Sequence, residues 1–137
     1  MVIDASVWVS YFIAIDANHT STVGWLEGVI RGGRPLAAPT ILLAEVAGAI
    51  ARRSNSSEMG LAVSEELRSL PSLRLVPLDD NLARLSAHVA ATLSAKGADA
   101  IYIATAEMLE APLVTWDAEQ RNRGSLLVHI GSPTDLP

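Results

Sequence analysis

The chain contains no cysteine. That excludes disulfides, zinc–thiolate centres and cysteine nucleophiles. No apolar run approaches the roughly 20 uninterrupted residues that a membrane span needs. The first run, Met1-Val2-Ile3, is broken by Asp4 and has no basic stretch before it, so it is not expected to be a secretion signal. A protein without membrane contact, working in the cytoplasm, is the expectation. Charged residues are also scarce, at 18% of the chain against 50% apolar. This balance excludes a disordered segment and predicts one compact domain over residues 1–137.

Among so few charges, four acids stand where an acid is costly. Asp4 ends the opening apolar run, and Glu45 interrupts Ile41-Leu42-Leu43-Ala44 and Val46-Ala47. Asp99 opens Ala100-Ile101-Tyr102-Ile103-Ala104, and Asp117 closes Pro112-Leu113-Val114-Thr115-Trp116. Burying an unpaired carboxylate costs several kcal/mol or more, so acids set against apolar runs need a cation to meet them. No cluster of Lys or Arg accompanies these four, which points to a metal. Hard oxygen ligands suit Mg²⁺ or Mn²⁺, and one or two such ions can activate water for phosphodiester hydrolysis.

The formal charge of −5 argues against tight, salt-driven binding to nucleic acid. With the four acids set aside, eleven remain against ten Lys and Arg. A nuclease that meets phosphate through bound metal therefore stays open.

Periodicity predicts strands alternating with helices. Strands are expected at Met1–Ala5, Leu36–Ala38, Leu73–Pro77, Leu113–Thr115 and Leu126–Ile130. Helices are expected at Ser6–Ile15, Thr20–Arg31, from Pro39-Thr40 to about Arg53, and at Ser57–Leu70. A further helix capped by Asp79 or Asp80 runs to a stop at Gly97, followed by Asp99–Leu109 and Ala118–Arg123. The alternation implies an α/β fold around a central, mostly parallel sheet. Ligands of such sheets bind beyond the carboxyl ends of the strands, where Asp4 and Asp117 fall. Each of Asp4, Asp99 and Asp117 is also a good helix cap, so each has a purely structural reading beside the chemical one. Glu45 has no basic residue at i,i+4 and shares a predicted buried face with Ile41, Leu42, Gly48 and Ala49.

Other phosphate chemistries fit less well. A haloacid-dehalogenase-type phosphatase needs a second Asp two positions after the first, and Ser6 stands there. A receiver domain needs a late lysine on a strand, whereas the only lysine, Lys96, precedes a helix. There is no glycine-rich phosphate loop, and His19, His88 and His129 lack metal-ligand spacing.

In order, Val2-Ile3-Asp4-Ala5-Ser6, Glu45 in an Ala-rich helix, Ala98-Asp99-Ala100-Ile101-Tyr102-Ile103-Ala104 and Pro112-Leu113-Val114-Thr115-Trp116-Asp117 resemble the PIN-domain ribonucleases. Within them the chain resembles the small VapC-like toxins of toxin–antitoxin pairs. The resemblance implies a PIN-like three-layer sandwich and an endoribonuclease dependent on Mg²⁺ or Mn²⁺, with Asp4, Glu45, Asp99 and Asp117 as catalytic metal ligands. It implies Ser6 and Thr115 as polar supports, with Trp116 packing or stacking on a base. Arg121 and Arg123 are candidate RNA contacts. A PIN-like RNA-processing nuclease and a catalytically silent binding module remain alternatives. The resemblance also implies a homodimer and an antitoxin partner, for which Trp8, Tyr11 and Phe12 on the first helix and Trp25 on the second offer an apolar groove.

Overall fold

The computed structural model describes residues 1–136. Five strands form one sheet: β1 (Val2–Ile3), β2 (Leu36–Pro39), β3 (Leu73–Val76), β4 (Leu113–Val114) and β5 (Ile130–Gly131). Its order is β3-β2-β1-β4-β5, and every pairing is parallel. The expectation of an α/β fold holds, with the sheet parallel throughout rather than mostly so. Such a sheet is buried on both faces, which accounts for the uninterrupted apolar runs of β1, β2 and β4. Val2 and Ile3, Leu36 and Ala38, and Leu113 and Val114 are all buried.

Seven helices flank the sheet among the described residues: α1 (Ala5–Phe12), α2 (His19–Arg31), α3 (Ile41–Ser54), α4 (Ser57–Ser69), α5 (Asp80–Leu93), α6 (Gly97–Met108) and α7 (Ala118–Gly124). Helix α6 packs across β2, β1 and β4 and buries Ala100, Tyr102, Ile103, Ala104 and Ala106. Small residues there let the helix lie close to the strands. Helix α3 is pinned from outside by α4, which crosses it at Gly60. A β-carbon at that position would come within 2.4 Å of the Ala47 carbonyl oxygen.

Four local readings are corrected. Helix α1 ends at Phe12 rather than Ile15, because Ile13 turns extended and Ile15 is 92% exposed. Helix α5 stops at Ser94, not Gly97; Ser94 takes the left-handed conformation and its N–H closes on the Ala90 carbonyl. Gly97 instead opens α6. The last strand is shorter and later than Leu126–Ile130. After α7 the N–H groups of Leu127 and Val128 both bond the Gly124 carbonyl, so the chain is still turning there and pairs only at Ile130.

The strand order places a crevice. From β1 the chain builds outward to β2 and β3, then returns to the other side of β1 for β4 and β5. The reversal lies between β1 and β4, and ligands of open α/β sheets bind at such a switch point. Asp4 and Asp117 both emerge there.

Candidate functional site

Asp4 follows β1 directly and caps α1, so the strand-to-helix turn fixes its carboxyl. Its Oδ2 accepts from the Ser6 N–H at 2.8 Å and from the Thr115 hydroxyl at 3.1 Å. Oδ1 receives only a long contact, 3.4 Å, from Gln120 Nε2. One oxygen is therefore held, and the other keeps room for a further ligand. Asp4 is only 7% exposed and has no ion-pair partner among the described residues. Burial pushes its pKa up, and the hydrogen bonds from Ser6, Thr115 and Gln120 offset this only in part.

Ser6 and Thr115 lie together. Their hydroxyls are 3.2 Å apart, Ser6 Oγ accepts from the Trp116 N–H, and Thr115 Oγ accepts from the Asp117 N–H. The two side chains stitch the end of β4 to the start of α1. They hold Asp4 and Asp117 in one frame.

Asp117 caps α7, its Oδ1 accepting from the Gln120 N–H at 2.9 Å. The Gln120 side chain does not reach back to the cap; it turns inward to Asp4 and leaves its own buried Oε1 without a partner. Asp99 is not the cap of its helix. Lys96 occupies that place, which puts Asp99 in the first turn of α6. Its pKa is raised by burial and then by the charges of Asp117 and Asp4, with Lys96 acting in the opposite sense.

Glu45 sits on α3 beside the buried stripe rather than inside it. Leu42, Val46 and Ile50 form that stripe, and Glu45 is half-buried on the neighbouring row. The Tyr102 hydroxyl donates to Glu45 Oε2 at 2.7 Å. Burial raises the Glu45 pKa most, the Tyr102 bond lowers it, and the charges of Asp4 and Asp99 raise it again. Burial and the charges of Asp4 and Glu45 push the Tyr102 phenol far above its ordinary range, so it remains a donor.

The four carboxyls therefore come from the end of one strand, the N-cap of a helix after another, and the flanks of two helices, and they repel one another. Among the described residues no three acidic or imidazole side chains are already close enough to cage an ion. The acids lie within electrostatic reach without closing on one point. A small hard cation that keeps several of its waters needs no dedicated all-protein cage. The all-oxygen donor set and the half-free Asp4 carboxyl fit such an ion.

A cavity of about 570 Å³ adjoins the acids, lined among others by Ser6, Glu45, Asp117, Asp16, Arg52 and Arg53. Trp116 also lines it, but its Nε1 donates to Thr22 Oγ at 2.9 Å, so the indole is tied into the protein. The guanidinium of Arg121 donates to the Thr115 carbonyl, and that of Arg123 to Glu119 and the Leu93 carbonyl. Sequence reasoning passed over Tyr102, Gln120 and Arg52. The first two follow Asp99 and Asp117 by three residues, the spacing that shares a helix face.

The PIN domain family model matches residues 1–126. No curated protein sequence is significantly similar. Among solved structures, FitAcB from Neisseria gonorrhoeae aligns with a TM-score of 0.73 and 22% identity, over 98% of this chain and 99% of that one. A toxin–antitoxin complex from Klebsiella pneumoniae aligns at 0.68 and 18%, over 96% of each chain. The sarcin–ricin-loop-cleaving toxin VapC20 from Mycobacterium tuberculosis aligns at 0.71 and 16%, over 90% and 94%. At these identities the structural likeness speaks for the fold, and the sequence match carries the assignment. With its acids gathered at the switch point of a parallel sheet, the chain belongs to the PIN domain family.

Proposed function

We propose that this protein is a divalent-metal-dependent endoribonuclease and the toxin of a toxin–antitoxin pair. The observation that carries the reading is that Asp4, Glu45, Asp99 and Asp117, drawn from four separate segments, come within electrostatic reach of one another, with no ion-pair partner for any of them among the described residues. A bound Mg²⁺ or Mn²⁺ would supply charge neutralisation and an activated water. Asp4 Oδ1, Glu45, Asp99 and Asp117 would hold it. Ser6 and Thr115 keep Asp4 aimed by occupying its other oxygen, and Tyr102 fixes one oxygen of Glu45. Lys96 is bonded to Glu119 at 2.9 Å and makes no ion pair with Asp99 or Asp117.

RNA is the substrate class that the family and the sarcin–ricin-loop-cleaving neighbour favour. The antitoxin rests on the toxin–antitoxin complexes of similar fold and on a groove between α1, α2 and α4. Trp8 is fully buried there, while Tyr11 and Phe12, packed edge to face at 5.1 Å, remain half-open beside Ile30 and Leu70. That surface suits the apolar side of a partner helix. A homodimer in solution belongs to the same reading.

RNA cleavage assayed with Mg²⁺, with and without chelator, by wild type and Asp99→Asn tests it. Chelator-sensitive cleavage that the variant lacks supports the proposal. Cleavage that survives chelation contradicts it.

A further inference from the structure

The cavity is lined by charges of both signs: Glu45 and Asp117 from the acid set, and Asp16, Arg52 and Arg53 besides. Arg53 is answered by Asp16 at 2.5 Å, and Asp16 also accepts from the Asn18 N–H. Arg52 has no such partner. It lines the cavity, is exposed, and makes no hydrogen bond or ion pair with any described residue. Its direction is set by the helix. Glu45, Gly48 and Arg52 stand at i, i+3 and i+7 on α3, which places them on one face. The guanidinium folds back along that face, toward Glu45, over Gly48. A β-carbon at Gly48 would come 3.1 Å from Arg52 Nη1 and would meet nothing else within 4 Å. Gly48 lies about 4.5 Å along the helix axis from Glu45, so the arginine head is roughly one turn from the acids.

We propose that Arg52 binds a phosphate of the RNA flanking the one at the acids, its guanidinium seated in the notch left by Gly48. The inference rests on the nuclease reading of the rim. Guanidinium suits this role because it is always charged and can hold a phosphate with two parallel N–H bonds. An acidic peptide would satisfy Arg52 but would be repelled by Glu45 and Asp117 in the same cavity. A polyanion whose next phosphate meets a cation at the acids satisfies both. The glycine is informative because it weakens its own helix: an interior Gly is less favourable than Ala, and Gly48 needs neither close backbone packing nor positive φ.

Binding of a short fluorescein-labelled oligoribonucleotide of mixed sequence tests this, in the full chain carrying Asp99→Asn so that the RNA stays intact, with Mg²⁺ present. Adding Arg52→Gln should weaken binding about tenfold at low salt. It should also flatten the slope of log affinity against log salt by about 0.7, the value of one lost single-strand phosphate contact. Arg84→Gln, which removes a guanidinium far from the cavity, should leave the slope unchanged. Gly48→Ala should raise Tm and weaken RNA binding together, a split that a purely structural role for the notch would not give. An unchanged salt slope in Arg52→Gln overturns the phosphate contact. Undiminished binding in Gly48→Ala overturns the notch. Polyglutamate binding as tightly as the RNA, and losing affinity in Arg52→Gln, would overturn the substrate class. Cleavage persisting in Asp99→Asn would instead remove Asp99 from the acid set, and wild-type protein that cleaves no RNA in Mg²⁺ would break the underlying nuclease reading.

Discussion

The acids on the outer helix faces and the acids at the strand-end rim behave as two populations. Outside, Glu65 is paired with Arg68, Asp80 with Arg84, and Glu119 with both Lys96 and Arg123. Glu65 and Glu119 are held below their ordinary pKa by these partners. At the rim the sign reverses. Asp4, Glu45 and Asp99 are all raised, first by burial, with Glu45 and Asp99 raised further by the other acids. Surface pairs are local, screened and worth little. Asp4, Glu45 and Asp99, in contrast, work against the fold when ionised. Clusters of groups perturbed in this way mark functional sites more often than structural ones.

If that contrast is right, the largest effect belongs to catalysis. Asp4→Asn keeps the volume and the Ser6 bond but removes the charge. Metal-dependent RNA cleavage should fall by about a hundredfold or more, the scale of losing one preorganised electrostatic group. Near-normal rates in this variant would remove Asp4 from the site.

Next in size is stabilisation by metal. An ion that binds only the native state adds about 2.7 kcal/mol at a hundredfold excess over its Kd. Thermal melts in Mg²⁺ or Mn²⁺ should show this as a rise in Tm, diminished in Asp99→Asn. An identical rise in both proteins would move the metal elsewhere.

A smaller effect concerns pH without metal. Glu45 binds its proton more tightly in the native state than in the unfolded chain. Its destabilising contribution is absent below the ordinary glutamate value of 4.5 and grows as pH rises past it. Glu45→Gln, which can still accept the Tyr102 hydroxyl, should therefore raise the apo Tm at pH 7. That gain should shrink toward pH 4. A gain independent of pH would assign the effect to packing. The smallest expected effect is Glu65→Gln on α4, where both partners are exposed and Tm should not move measurably.

The same contrast explains what could be read from the sequence. Acids that break apolar runs are visible as text because the cost of burial is local to the run, so all four were legible, and so was the alternation that makes the sheet parallel. Ser6 and Thr115 could be placed through their neighbours in sequence. Contacts across the sheet were not visible in this way. Gln120 stands three residues after Asp117, but its side chain reaches Asp4, more than a hundred residues away. Arg52 is adjacent in sequence to Arg53 and carries the same side chain; only the Asp16 pairing of Arg53 and the notch at Gly48 distinguish the two. Residues 126–129 carry an apolar pattern that suits a strand, but the turn closing on Gly124 delays pairing to Ile130.

In the proposed site the rim acids together receive a divalent ion. Calorimetric titration of Mn²⁺ into the metal-free protein measures it directly. Saturable binding is expected in the wild type, and each of Asp4→Asn, Glu45→Gln and Asp99→Asn should weaken it. Wild-type protein that binds no Mn²⁺, or variants that bind it as tightly as the wild type, would contradict the claim.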